Sequence, residues 1–258
     1  HFLLDLNLTR RVARAAGDLA GAGAIEIGPG PGGLTRALLE SPAARVVAIE
    51  RDHRAVAALA ELEAAHPGRL TVIEGDALAI DPARLCLPPR HIVANLPYNV
   101  ATPLLIGWLK RIDDYASLTL MFQKEVAQRL VARPRDAAYG RLAVLTQWAC
   151  EAKLVFDIPA SAFVPPPKVT SSVVHLRPRA IREAVDVVLL ERVTQAAFGQ
   201  RRKMLRQSLK SLGVDPATLL QACAIAPEKR AEELDEGQFC ALARALGATG
   251  ATGPRAAT

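Results

Sequence analysis

Cysteine is rare and dispersed in this chain, with only Cys86, Cys150, Cys223 and Cys240 among 258 residues. None forms the close pairs that zinc sites use, and so few thiols this far apart do not make a disulfide scaffold. Reduced, mostly buried thiols in a cytosolic protein are expected. Long apolar runs are also missing. None approaches the ~20 residues that cross a bilayer, so no membrane partner is expected. The start lacks the basic, apolar and small-residue order of a secretory signal. It begins at His1 rather than Met, so a few residues are expected to precede it. No internal repeat is visible, which sets a solenoid aside. His53, His66, His91 and His175 show no ligand-like clustering, and no metal is expected.

What is present is apolar content and positive charge. Half of the chain is hydrophobic, enough for one large domain or one with a small appendage. The formal net charge is +6 and the pI about 9.4, which favours a polyanionic partner such as nucleic acid. An Ala- and Arg-rich coding bias could produce the same totals.

Apolar runs of strand length alternate with helical periodicity through the first half. Strands are expected at Ala24 to Ile27, Val46 to Glu50, Leu70 to Glu74 and His91 to Ala94, and at the start of SLTLMFQKEVAQRLVA. A helix follows most of them, which implies a parallel sheet covered on both faces. Ala152 to Ile158 and Ser172 to Leu176 flank a proline-rich loop with no room for a crossover helix. They are expected to pair antiparallel at the end of the sheet. Beyond about Arg182 the strand pattern gives way to helical periodicity, with Asp215-Pro216 as an N-cap and first-turn proline. The expected division is a catalytic domain over 1–182, a helical domain over 183–250 and a disordered tail over 251–258.

Ligands of open parallel sheets bind at the carboxyl ends of the strands. The first strand is followed by Gly28-Pro29-Gly30-Pro31-Gly32-Gly33, a G-x-G-x-x-G match. By itself it fits NAD, FAD or S-adenosylmethionine. Pro29 and Pro31 remove two backbone donors, so the turn suits a cofactor without phosphates. Glu50 can accept from both hydroxyls of a ribose. Asp76 can accept from the amine of an adenine, with Ala77 leaving room for the ring. The fourth strand ends in Asn95-Leu96-Pro97-Tyr98. Asn and Pro are ordinary turn residues, but here they stand beside the expected cofactor. The Asn95 side chain and the Leu96 carbonyl offer two acceptors that can grip an aromatic amine and localise its lone pair. Asn is no general base at neutral pH, so this is orientation and preorganisation. Pro97 fixes the turn, and Tyr98 can stack on a base drawn out of its helix.

Taken in order, HFLLD, EIGPGPGGLT, AIERD, EGDAL, NLPYNVATPLL, MFQKEVAQRL, FVPPPKVTSSVVHL and FGQRRKMLRQSL resemble the ribosomal small-subunit adenine dimethyltransferases. The resemblance spans nearly the whole chain. It implies a class I α/β methyltransferase fold: a mostly parallel twisted sheet ending in an antiparallel hairpin, plus a small all-α domain. It implies S-adenosylmethionine as cofactor, with contacts from His1, Leu3, Gly28, Gly30, Glu50, Asp76, Ala77 and Asn95. Phe163 is expected to stack on the target adenine opposite Tyr98. The expected reaction is N6,N6-dimethylation of two adjacent adenosines in a hairpin near the 3′ end of small-subunit rRNA. A partly assembled subunit is the expected substrate, and the enzyme is expected to be a cytosolic monomer. Arg201, Arg202, Lys203 and Arg206 are expected to meet RNA phosphates. The family usually carries Gly-Gln-Asn before Phe-Leu, where this chain has only His1. The rival readings are a large-subunit adenine methyltransferase of the antibiotic-resistance type, a non-catalytic assembly factor and an NAD-dependent oxidoreductase. The last lacks a paired catalytic Tyr and Lys.

Overall fold

A computed structural model describes residues 2–250, apart from the side chain of Tyr98. The expectations placed on His1, the Tyr98 ring and the tail over 251–258 lie outside the described residues. Two compact units emerge. One comprises His1–Ala127 and Cys150–Pro178, the other Gln128–Ala149 and Arg179–Thr258.

The first unit begins with β1 (Phe2–Leu3), α1 (Leu6–Ala15), β2 (Gly23–Ile27), α2 (Gly33–Leu39), β3 (Arg45–Glu50), α3 (His53–Ala65) and β4 (Leu70–Glu74). It continues with β5 (Arg90–Asn95), α4 (Tyr98–Lys110), β6 (Ser117–Gln123) and the start of α5 (Lys124–Val131). After α6 (Arg141–Ala149), which belongs to the other unit, come β7 (Cys150–Ile158), β8 (Phe163–Val164) and β9 (Ser171–Pro178). Seven strands form one sheet in the order β4-β3-β2-β5-β6-β9-β7. The first five are parallel, and β9 runs antiparallel to both β6 and β7. Every residue of β2 is buried, as expected of a central strand covered on both faces. The hairpin strands are in place, with β9 inserted between β6 and β7. His91 and His175 are sheet residues that hydrogen bond to Ser117 and Thr119 at 2.8 and 2.9 Å.

The second unit is helical. It adds α7 (Val187–Gly199), α8 (Leu205–Ser208), α9 (Pro216–Ala222) and α10 (Glu236–Ala248) to α6. Asp215 caps α9 by accepting from the Ala217 and Thr218 backbone N–H groups. The structural division differs from the expected boundary at 182. Helix α6 buries six of its nine residues and packs against α7 and α10. A helix buried over most of its surface needs partners around it, and α7 and α10 come from later in the chain. The indole of Trp148 donates to the Glu183 carbonyl at 2.9 Å, tying α6 to the segment before α7.

One buried carboxyl anchors β2 to α2. Glu26 accepts a hydrogen bond from the Thr35 hydroxyl at 2.7 Å. Burial pushes it up from 4.5 to about 8, with the Thr35 hydrogen bond opposing and the charge of Glu50 adding to the rise. Between these two values the folded chain holds one proton more than the unfolded chain. Stability attributable to Glu26 therefore falls as pH rises through this window, by ~1.4 kcal/mol per pH unit at most. Chemical denaturation from about pH 5 to pH 8 should show wild type losing stability more steeply than Glu26→Gln. Identical slopes would remove Glu26 as the titrating group.

Candidate active site

The strand ends converge as the parallel topology requires. A cleft of about 360 Å³ is lined by Ile27, Gly28, Ile49, Glu50, Arg51, Asp52, Gly75, Asp76, Ala77, Pro97, Asn99 and Val100. Gly28, Glu50, Asp76, Ala77 and Pro97 are the residues that the motifs point to. Arg51, Asp52, Asn99 and Val100 fall within the AIERD and NLPYNVATPLL stretches, but no role is assigned to them from the sequence.

Three amides of the glycine turn are used within the protein. The Gly28 N–H donates to the Ile49 carbonyl at 2.9 Å and the Gly32 N–H to the Pro29 carbonyl at 3.0 Å. The Gly30 N–H donates to Glu50 Oε2 at 3.0 Å. Pro29 and Pro31 have none to give. Phosphate-binding turns work by aiming such donors outward, and these three point inward.

Glu50 is fixed from three sides. Besides Gly30, the Arg51 and Asp52 amides donate to its Oε1 at 2.7 and 2.8 Å. Oε2 keeps acceptor capacity for a hydroxyl. Asp52 caps α3 through the Arg54 N–H. The Arg54 hydrogen bonds hold its carboxyl at about 2. Asp76 Oδ1 accepts from the Leu78 N–H at 2.9 Å, which pins the acidic turn after β4.

The turn after β5 sits directly on the glycine turn. A Cβ built on Gly28, where φ is +69°, would lie 3.6 Å from Pro97 Cδ and 3.9 Å from the Asn95 carbonyl oxygen. The Leu96 side chain is buried, which anchors the backbone carrying its carbonyl. Pro97 precedes the first residue of α4, and its carbonyl accepts from Val100 and Ala101. The sheet thus brings together Gly28, Asn95, Leu96 and Pro97, distant in the chain.

Three expected site residues stand elsewhere, the first being Leu3, whose side chain is buried in the core and does not line the cleft. The Phe163 ring is 2 % exposed and belongs to the core cluster with Leu3, Ile158 and Val173. It fills the interior under β8 and offers no open face for an adenine, because burying the ring against aliphatic side chains is its favourable state. Arg201 donates from Nε to Glu232 at 3.0 Å and from a terminal nitrogen to the Asp136 carbonyl at 3.3 Å. It braces the helical unit, whereas Arg202, Lys203 and Arg206 are exposed.

A family model for ribosomal RNA adenine dimethylases matches residues 1–247. The chain belongs to this family. Ribosomal RNA small subunit methyltransferase A of Azorhizobium caulinodans is 62 % identical over 253 residues, covering 96 % of this chain and 86 % of that protein. The protein of the same name from Paramagnetospirillum magneticum is 59 % identical over 249 residues, covering 96 % and 88 %. A dimethyladenosine transferase from Plasmodium falciparum has a similar crystal structure, with a TM-score of 0.84 at 26 % identity, covering 97 % of this chain and 98 % of that one. The 23S rRNA methyltransferase ErmE matches with a TM-score of 0.70 at 26 % identity, covering 96 % and 100 %. As a member of the dimethylase family, the chain is an rRNA adenine dimethyltransferase of the class I fold that uses S-adenosylmethionine.

The cleft fits that cofactor. Glu50, Asp52 and Asp76 outnumber Arg51 in its lining, an acidic balance that suits a sulfonium cation. Ile27, Ile49, Ala77 and Val100 supply aliphatic walls for a purine. Calorimetry with S-adenosylhomocysteine should show Glu50→Ala binding about tenfold or more weakly, as for loss of a charged hydrogen bond worth ~1.5–3 kcal/mol. Unchanged affinity would remove Glu50 from the cofactor site.

Proposed function

We propose that the chain dimethylates N6 of two adjacent adenosines in a hairpin near the 3′ end of small-subunit rRNA. It acts as a cytosolic monomer on a partly assembled subunit. The observation that carries this reading is the Asn95-Leu96-Pro97 turn packed against Gly28 at a cleft lined mainly by carboxylates and aliphatic side chains. The relatives at 59–62 % identity bear a small-subunit name, against 26 % for the 23S enzyme. Four free cysteines suit a reducing compartment.

S-adenosylmethionine, when bound, supplies an electrophilic methyl group on a sulfonium. The chain's own residues must make a weakly nucleophilic amine reactive. The side-chain carbonyl of Asn95 and the backbone carbonyl of Leu96 accept from the two N–H groups of N6. That grip draws nitrogen toward tetrahedral geometry and frees its lone pair from the ring. After one methylation a single N–H remains, and one acceptor still holds it. The same pocket therefore serves both rounds. Neither group is basic, so the proton leaves to solvent once the amine has become cationic.

Binding of the rRNA falls to exposed cations. Arg202, Lys203 and Arg206 are exposed, and among the described residues no ion pair engages them, whereas Arg201 is held by Glu232. Phosphate contacts position an RNA, and base contacts specify it.

Two measurements test the proposal. Asn95→Ala should slow methyl incorporation into purified small subunits by ~100-fold or more, with cofactor affinity less affected. Near-normal turnover would refute the role of Asn95. Neutralising Arg202, Lys203 and Arg206 together should weaken subunit binding and flatten its salt dependence by ~0.7–0.9 for each phosphate no longer neutralised. An unaltered slope would make them a solvated surface.

A further inference from the structure

The short ladder between β1 and β8 sorts four side chains by direction. Leu3 pairs with Phe163 and Phe2 with Val164. Alternation along a strand sends successive side chains to opposite faces. Leu3 and Phe163 point inward, 5 % and 2 % exposed, while Phe2 and Val164 point outward, 46 % and 55 % exposed. Among the aromatic side chains described, Phe2 alone is open to this degree. Its ring edge also lies along the cofactor turn. Gly30 has a φ of +53°, and a Cβ there would overlap the Phe2 ring. An open aromatic face therefore borders the same glycine whose amide is bound by Glu50.

We propose that Phe2 is a substrate-contacting residue: its exposed ring, extended by Val164, receives an unpaired rRNA base next to the adenine being methylated. This rests on the proposed rRNA reading and gives the site a stacking face that Phe163, being buried, does not offer. Three observations favour a nucleobase as occupant. The ring packs on Gly30, whose amide is held by Glu50 of the cleft wall, so it stands one residue removed from the cleft. The substrate must present unstacked bases there, because an enzyme working on a base takes it out of its helix and leaves its neighbours without a stacking partner. And the patch is small: Phe2 and Val164 in the β1–β8 register, followed by the exposed Leu4 and Leu6, four side chains where a protein interface uses ~20–30 residues a side.

The test uses the full chain and small ribosomal subunits lacking the modification, with Phe2→Trp, Phe2→Leu and Phe2→Ala. Leu keeps an apolar contact with Gly30 and loses the π-face. Stacking predicts that Leu and Ala raise KM for subunits about tenfold, in line with the range for one base on one aromatic ring, while Trp stays near wild type. Affinity for S-adenosylhomocysteine, measured by calorimetry, should stay within about twofold of wild type in the Trp and Leu variants. Equal KM values for Leu and wild type would overturn the proposal. So would losses in subunit binding that track losses in cofactor affinity, because Phe2 would then only brace the glycine turn. Absence of rRNA methylation by the wild-type chain would instead overturn the proposed function, so the two failures are distinguishable.

Discussion

The glycine turn after β2 is the point on which the site depends. Three segments close on it: the Asn95-Leu96-Pro97 turn at Gly28, the β1 ring at Gly30, and Glu50 at the end of β3 through the Gly30 amide. Together they occupy the amides of Gly28 and Gly30 and, at Gly30, leave no room for a side chain. With Pro29 and Pro31 lacking N–H groups, the turn keeps few donors for a phosphate.

A chain of net charge +6 attracts RNA as a whole, yet its cleft is lined by Glu50, Asp52 and Asp76. Those carboxylates sit with one cation, Arg51, in the same lining, so the cleft differs in sign from the chain as a whole.

Much of this is legible in the sequence, for identifiable reasons. The five parallel strands are short apolar runs ending in polar turns, and such runs have one stable use in an α/β sheet. Gly28, Glu50, Asp76 and Asn95 can be placed together because parallel strands bring their carboxyl ends to one edge. Contacts without periodicity are not legible. Strands β1 and β8 have two residues each, too few for any pattern. Arg201 reads as one cation in a run of cations, because its partner Glu232 lies 31 residues away. Phe163 stands in a proline-rich loop that suggests exposure, and only its pairing with Leu3 turns it inward. Helix α6 precedes the hairpin in the chain but finds its packing partners after it.

That last arrangement has a consequence for synthesis on the ribosome. Neither unit is a continuous stretch of chain: Gln128–Ala149 belongs with residues made after Pro178, and Cys150–Pro178 belongs with residues made before Gln128. Strand β9 completes the sheet between β6 and β7, while the emerging α6 has of its own unit only the segment just before it, where Gln147 donates to the Leu130 and Ala132 carbonyls at 3.2 and 2.7 Å. Its apolar surface must wait, exposed or sheltered by a chaperone, until α7 and α10 follow. A chain cut at the end of β9 would keep every strand of the methyl-transfer sheet and carry an uncovered greasy helix, so the two units are inseparable by truncation although each has its own core.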